Sequence, residues 1–294
     1  MKKLLCLVLL GAGILGANEL EELANKCNQN DYESCEKLGI EYFRSKNYKK
    51  ANDEWIKACK NDRTTSCLSL GILYHNGFGT QQDYIKAREF YIKACNGGEV
   101  LGCTTVGLFY KNGLGVKQDY SKAIEFYTKA CNAGNAFECF DLALIYANGK
   151  GVKKNYSKAI EFYTKACNAG NVEGCFNLGL LYLNGQGVKQ NYFKAKDAWV
   201  KACNGNDAGS CSNLGTLYSK GLGAKQDYFK SKELYIKACN SNDTMGCFNL
   251  GALYYNGQGV RQDKRKAKEY YGKACDLGEQ KGCDEYRKLN EQGY

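Results

Sequence analysis

Apolar positions along this chain recur with the 3.6-residue period of helices. Cys175, Leu178, Gly179 and Tyr182 sit at i, i+3, i+4 and i+7, one stripe of a helix. The stripe breaks at Asn184-Gly185-Gln186-Gly187-Val188, where a glycine can take the left-handed conformation that ends a helix. Asn191 then has the character of an N-cap for a second helix. In the preceding stretch Asn155 plays that part, and Ala159, Phe162, Tyr163 and Ala166 form the apolar stripe. Gly170 closes that helix and Asn171 caps the next. The pattern predicts helix A, a glycine loop, helix B, and a short turn into the next helix A.

Cysteines set the period of this unit. They fall in pairs eight apart: Cys27/Cys35, Cys59/Cys67, Cys95/Cys103, Cys131/Cys139, Cys167/Cys175, Cys203/Cys211, Cys239/Cys247 and Cys275/Cys283. From Cys59 the pairs advance by 36 residues, while the first interval is 32. A repeat of this length marks a solenoid, in which each helix pair buries its face against its neighbours. Small residues recur where two helices must approach: Gly71, Gly107, Ala143, Gly179, Gly215 and Gly251 on helix A, and Ala87, Ala123, Ala159, Ala195, Ser231 and Ala267 on helix B. Glycine inside a helix costs about 1 kcal/mol relative to alanine. Its recurrence implies that the partner helix packs into the space it leaves.

Each cysteine pair spans one tight turn, with the first residue ending helix B and the second near the start of the next helix A. The spacing predicts a disulfide at every junction. Closing a loop of about nine residues removes roughly 2.5 kcal/mol of unfolded-state entropy in the chain-entropy model. A zinc site would call for clustered ligands, commonly C-x-x-C spacing or histidines. This chain has C-x7-C throughout and one histidine. No metal or cofactor is expected.

The N-terminus changes the picture of where the chain works. Met1-Lys2-Lys3 gives a basic start, Leu4 to Leu15 is apolar, and Gly16-Ala17 supplies small residues before Glu19. That order predicts a secretory signal peptide over residues 1–17, removing Cys6 and leaving sixteen cysteines, an even number. About a dozen apolar residues fall short of the roughly 20 that span a bilayer. The expected location is therefore secreted or periplasmic, reached by the general secretory route, with no membrane span. Disulfide density of this order belongs to an oxidising compartment.

Charge adds little at this level. The full chain carries +10, and loss of Lys2 and Lys3 leaves +8, spread along the whole length. A nucleic-acid binder usually clusters its basic residues, so no nucleic acid is expected as partner. Proline is absent and glycine numbers 34, which suits recurring joints between helices.

The arrangement resembles the Sel-one-like repeat, a relative of the tetratricopeptide repeat, and with its cysteine pairs and leader it is similar to the Helicobacter cysteine-rich protein family. L-G-x-L-Y-x-N-G-x-G-V, as in Leu178 to Val188, and K-A-x-x-x-Y-x-K-A-C, as in Lys158 to Cys167, carry the resemblance over about residues 27–283. Arg44-Ser45-Lys46-Asn47 departs from it where the longer G-x-G loop should be. The resemblance implies an all-α fold, a right-handed α/α solenoid superhelix with one disulfide per helix-pair junction. The expected layout is an N-terminal capping helix over 18–34, a solenoid of seven repeats over 35–282 and a C-terminal capping helix over 283–294.

The family label of penicillin-binding protein or β-lactamase implies a β-lactam or peptidoglycan-like ligand. The serine β-lactamase set is S-x-x-K, S-D-N and K-T-G, and only Ser34-Cys35-Glu36-Lys37 matches any of it. No catalytic residue is assigned on that basis. The G-x-G loops follow helices, recur six times and lack a P-loop lysine, so they are joints rather than phosphate cradles. His75 stands where later repeats have Lys111, Ala147, Leu183, Ser219 and Tyr255, and no free thiol is left to partner it.

A scaffold that binds a peptide or protein is the stronger expectation, because solenoids present extended surfaces. In solenoids of this kind helix A lines the concave side. The residue two after each cysteine, about 200° from that cysteine around the helix, gives Ser69, Thr105, Asp141, Asn177, Asn213 and Asn249. These form a candidate polar ladder for an extended backbone, on a chain expected to be a monomer.

Overall fold

The computed structural model describes residues 15–294, which form sixteen α-helices with no strand among them. Residues 1–14 of the expected leader, Cys6 included, lie outside the described residues. After α1 (Ala17–Asn28) come the A helices α2 (Tyr32–Arg44), α4 (Thr64–Asn76), α6 (Val100–Asn112), α8 (Ala136–Asn148), α10 (Val172–Asn184), α12 (Ala208–Lys220) and α14 (Thr244–Asn256). The B helices alternate with them: α3 (Tyr48–Lys60), α5 (Tyr84–Asn96), α7 (Tyr120–Asn132), α9 (Tyr156–Asn168), α11 (Tyr192–Asn204), α13 (Tyr228–Asn240) and α15 (Lys264–Asp276). Helix α16 (Gln280–Glu291) ends the series. The two terminal helices differ from the expected spans, α1 stopping at Asn28 and α16 starting at Gln280, three residues before Cys283.

The described residues form two compact units, one ending at Glu138 and the other spanning Cys139–Tyr294. Within the first, consecutive helices from α1 to α7 pack on one another. Within the second, consecutive helices from α9 to α16 do the same, and α12 also touches α14 directly.

In six of the seven repeats the aromatic side chain that follows the small residue of helix B by four positions fills the notch left by the glycine of helix A. A Cβ added at Gly71 would lie 2.6 Å from the Tyr91 ring, at Gly215 2.7 Å from Tyr235, and at Gly251 2.8 Å from Tyr271. Gly39 faces Trp55 and Gly179 faces Trp199 in the same way. Ala87, Ala123, Ala159, Ala195, Ser231 and Ala267 are fully buried beneath the crossing. The two indoles are also pinned by hydrogen bonds, Trp55 Nε1 donating to the Glu36 carbonyl and Trp199 Nε1 to the Phe176 carbonyl, each at 3.2 Å.

The loops follow from backbone chemistry. Gly185 closes α10 at φ +66°, a left-handed conformation that favours glycine. The second glycine of the loop lies on the start of the preceding helix B: a Cβ at Gly259 would come within 2.7 Å of the Tyr228 backbone. A glutamine then clamps the loop, with Gln82, Gln118, Gln190, Gln226 and Gln262 donating to the carbonyls of His75, Lys111, Leu183, Ser219 and Tyr255 at 2.7–2.8 Å. Asn155 and Asn191 cap their helices by accepting from the amides of Lys158 and Lys194, and Asn171 accepts from Gly174. The first A–B loop is Ser45–Asn47, three residues against the seven of Gly77–Asp83, and this accounts for the short first interval.

At the junctions between repeats the disulfides Cys27–Cys35, Cys59–Cys67, Cys95–Cys103, Cys167–Cys175, Cys203–Cys211, Cys239–Cys247 and Cys275–Cys283 join helix B, or α1, to the next helix A with Cα atoms 4.5–4.8 Å apart. Cys131 and Cys139 are disulfide-bonded as well. The residue three after the first cysteine of each pair takes a positive φ, and those positions are Asn30, Asp62, Gly98, Gly134, Gly170, Asn206, Asn242 and Gly278. Only residue types that tolerate the left-handed region occur there.

Replacing Gly179 by alanine drives a methyl into an indole already held by its hydrogen bond. We expect a loss of about 1–3 kcal/mol, read as a lower denaturant midpoint. A midpoint equal to or above that of the parent protein would contradict the packing described.

Candidate interaction surfaces

The expected ladder residues occupy equivalent places on successive A helices. Ser69, Asp141, Asn177, Asn213 and Asn249 are half-buried. Thr105 departs from expectation: it is 5% exposed, and its hydroxyl donates to the Leu101 carbonyl at 2.8 Å. Ser69 Oγ and Asn177 Nδ2 also donate to carbonyls one turn earlier, of Thr65 and Glu173, at 2.9 Å. Asn213 and Asn249 make no side-chain hydrogen bond among the described residues. Helical angle alone puts position i+2 opposite the stripe. Where α12 meets α14 the neighbouring A helix narrows that face.

A second surface emerges where charge is sorted by helix type. The six B helices from α5 to α15 hold eighteen lysines and arginines against seven acidic residues, whereas the A helices from α4 to α14 hold two against three. In all seven repeats a lysine near the start of helix B lies over a tyrosine near the end of helix A. Lys50 covers Tyr42, Lys86 Tyr74, Lys122 Tyr110, Lys158 Tyr146, Lys194 Tyr182, Lys230 Tyr218 and Lys266 Tyr254, each 4.9–5.4 Å from the ring centroid. Such contacts contribute about 0.5–1 kcal/mol at exposed sites. They hold the aliphatic stems against the seam while the ammonium groups reach solvent. The charge that looks evenly spread along the sequence is thus confined mostly to one kind of helix.

The residues singled out for chemistry do not assemble a reactive centre. Ser34 is buried and its Oγ donates to Asp31 Oδ2 at 2.7 Å, while the Lys37 ammonium pairs with Glu33 at 2.8 Å on an exposed side. The serine and lysine of the S-x-x-K match therefore serve a helix cap and a surface ion pair. Glu54 lies 3.1 Å from Cys27 Sγ, and Cys27, Cys35 and Glu54 have the proximity of a metal site. Both sulfurs are bonded to each other, so neither is available as a thiolate ligand. Burial raises Tyr163 and Tyr271 to about 12, in keeping with core rings.

His75 sits among Tyr84, Tyr91 and Phe109, with ring centroids 5.5, 6.4 and 5.4 Å away, and its Nδ1 is buried without a partner. Desolvation by burial lowers its pKa below 6.5. A histidine whose folded pKa is depressed contributes stability above its unfolded pKa, and that contribution is lost as pH falls. The denaturant midpoint should therefore drop as pH is lowered below 6.5. His75→Leu, which introduces the residue found at the equivalent Leu183, should flatten this dependence. An unchanged profile in the variant would assign the acid sensitivity elsewhere.

Helix pairs joined by sulfur bridges define a disulfide-braced α/α repeat scaffold. The Sel1 repeat matches residues 64–99, 101–135, 139–171, 172–207, 208–243 and 244–279, and the chain belongs to the Sel1 repeat family. It is a cysteine-rich member, with bridged junctions between its helix pairs. The chain is similar to a protective antigen present in uropathogenic Escherichia coli strains, which displays an SLR fold. Identity is 29% and the TM-score 0.74, covering 94% of this chain and 60% of that one, so the chain spans about 60% of that relative's length. A Sel1 repeat protein from Oxalobacter formigenes shares the fold at 24% identity and a TM-score of 0.53, covering 82% of this chain and 96% of that one. Helicobacter pylori cysteine rich protein B is 36% identical over 46% of this chain and 98% of its own, with a TM-score of 0.37. No curated protein matches the chain.

Proposed function

We propose that the protein is an exported interaction scaffold that binds an extended peptide, or a segment of a protein, along its A helices. The observation that carries this reading is the alignment in the second unit of Asn177, Asn213 and Asn249. They stand at one position of α10, α12 and α14, half-buried and uncharged, with α12 directly against α14. Contact between A helices of successive repeats is what an inner face requires. Asparagine presents both a donor and an acceptor, the pair of groups that a peptide backbone offers in return. The exposed Met245, one turn before Asn249, adds an apolar contact on the same stripe.

Export by the general secretory route, with the leader ending at Ala17, is the second part of the proposal, and the mature protein is a secreted or periplasmic monomer. The disulfide density supports it, since bridged cysteines persist in oxidising compartments. Among the described residues no helix is long and apolar enough to cross a membrane.

Two measurements test these statements. Peptides selected from a random library on the oxidised protein should bind Asn177→Ala/Asn213→Ala/Asn249→Ala at least tenfold more weakly. That estimate takes about 0.5–1.5 kcal/mol per lost hydrogen bond. Equal affinity for the triple variant would discard this surface. The protein recovered from the periplasm or culture medium should begin at Asn18 and be about 16 Da lighter before reduction than after, the mass of eight bridges. An N-terminus at Met1, or free thiols in that material, would overturn the export reading.

A further inference from the structure

We propose that the B-helix face of the second unit is a docking surface for an anionic lipid bilayer, entered by the rings of Phe193 and Phe229. These phenylalanines occupy the second position of α11 and α13 and are 66% and 67% exposed. Equivalent positions earlier in the chain are Lys49, Ile85, Ser121 and Ser157, so the repeat does not need a ring there. The next one along is Arg265. Two adjacent repeats thus hold large apolar groups in water at a place where the scaffold accepts serine. No packing role explains them.

The surroundings identify the occupant by charge. Helices α11 and α13 with the loops leading into them carry Lys189, Lys194, Lys196, Lys201, Lys225, Lys230, Lys232 and Lys237 against Asp197, Asp227 and Glu233. Lys189, Lys194, Lys225 and Lys230 are exposed. The ammonium groups of Lys196 and Lys232 lie 6.0 and 5.7 Å from the centroids of Phe193 and Phe229, so each ring is flanked by a cation. The acidic residues are largely engaged: Asp227 caps α13 and lies 3.7 Å from Lys230, and Asp197 lies 3.7 Å from Lys196. Apolar rings projecting from a lysine field match the interface of an anionic bilayer. Headgroup phosphates meet the lysines, and the acyl boundary takes the rings. A purely polyanionic partner would leave both rings in water, which is why the bilayer is favoured over a soluble polysaccharide. This surface lies on the B helices and is independent of the peptide ladder on the A helices.

The test is flotation of the oxidised protein with vesicles of phosphatidylcholine alone or with one third phosphatidylglycerol. It compares the parent protein with Phe193→Ser/Phe229→Ser, which installs the residue that earlier repeats already carry. The expected result is binding to the anionic vesicles only, weakened at least tenfold in the double variant and lost at high salt. Every segment but the two rings is shared, so the difference between the proteins isolates their insertion. A circular dichroism melt matching the parent protein's confirms that the variant is folded. Absence of binding to either vesicle, equal binding to neutral and anionic vesicles, or a double variant that binds like the parent would each overturn the proposal. The last outcome, with retention on a heparin column, would assign the face to a soluble polyanion.

Discussion

The fit of one aromatic ring into the gap left by one missing side chain governs this architecture. A helix pair of thirteen-residue members can bury little surface unless its axes come close, and the A-helix glycine allows that approach. Its intrinsic cost, about 1 kcal/mol relative to alanine, is offset by burial of a whole tyrosine or tryptophan against backbone. Burying an aromatic side chain contributes on the order of 1.5–3 kcal/mol. Trp55 and Trp199 are 1% exposed and Tyr91 and Tyr235 are 3% exposed, so the rings fill the notch completely. With the crossing fixed, the small residue of helix B is fixed as well, while the loop is not: the first repeat makes the same crossing through three residues, Ser45–Asn47. Ala143, where the other repeats have glycine, marks the one described departure, and its repeat places Tyr163 at the ring position.

Sulfur bridges act on a different scale. A repeat protein derives its stability from the units themselves and from the contacts between neighbours. Each junction bridge closes a short loop, and its effect is local by construction. It removes freedom from the turn where helix B hands over to helix A, at a residue that must adopt a left-handed conformation. A left-handed residue and a local cross-link coincide at these junctions. A junction held covalently depends less on the outer faces of the helices, and those faces can carry whatever side chains a partner requires.

The sequence made the architecture readable because its determinants are short-range and repeated. Period, caps, glycine joints and C-x7-C pairs are all properties of neighbouring residues, and Asn155, Asn171 and Asn191 cap where the pattern places them. Other features depend on what packs alongside. Thr105 shares a helical angle with Asn177 but is covered in its own repeat, and no periodicity argument separates the two. The glutamine clamp recurs at fixed spacing and could have been found by asking what satisfies the last carbonyls of each A helix. Charge was the least legible feature. Counted along the chain it looks dispersed, because A and B helices alternate faster than any composition window resolves.

Sorting of charge by helix type bears on how one scaffold can serve two surfaces. Core positions hardly vary among the repeats, since ring, notch and bridge constrain one another. The second position of helix B does vary, reading Ile85, Ser121, Ser157, Phe193, Phe229 and Arg265 in turn. A side chain there begins its helix largely in solvent; Ser157 donates to the Gly187 carbonyl of the next loop at 3.0 Å, whereas Phe193 and Phe229 project into water. The ladder position of helix A is only partly released from packing, because it is half-buried and favours small polar residues. Specific, shape-dependent recognition suits the shaded face, and broad electrostatic attachment suits the open one. The helix-pair geometry alone imposes that division, before any partner is considered.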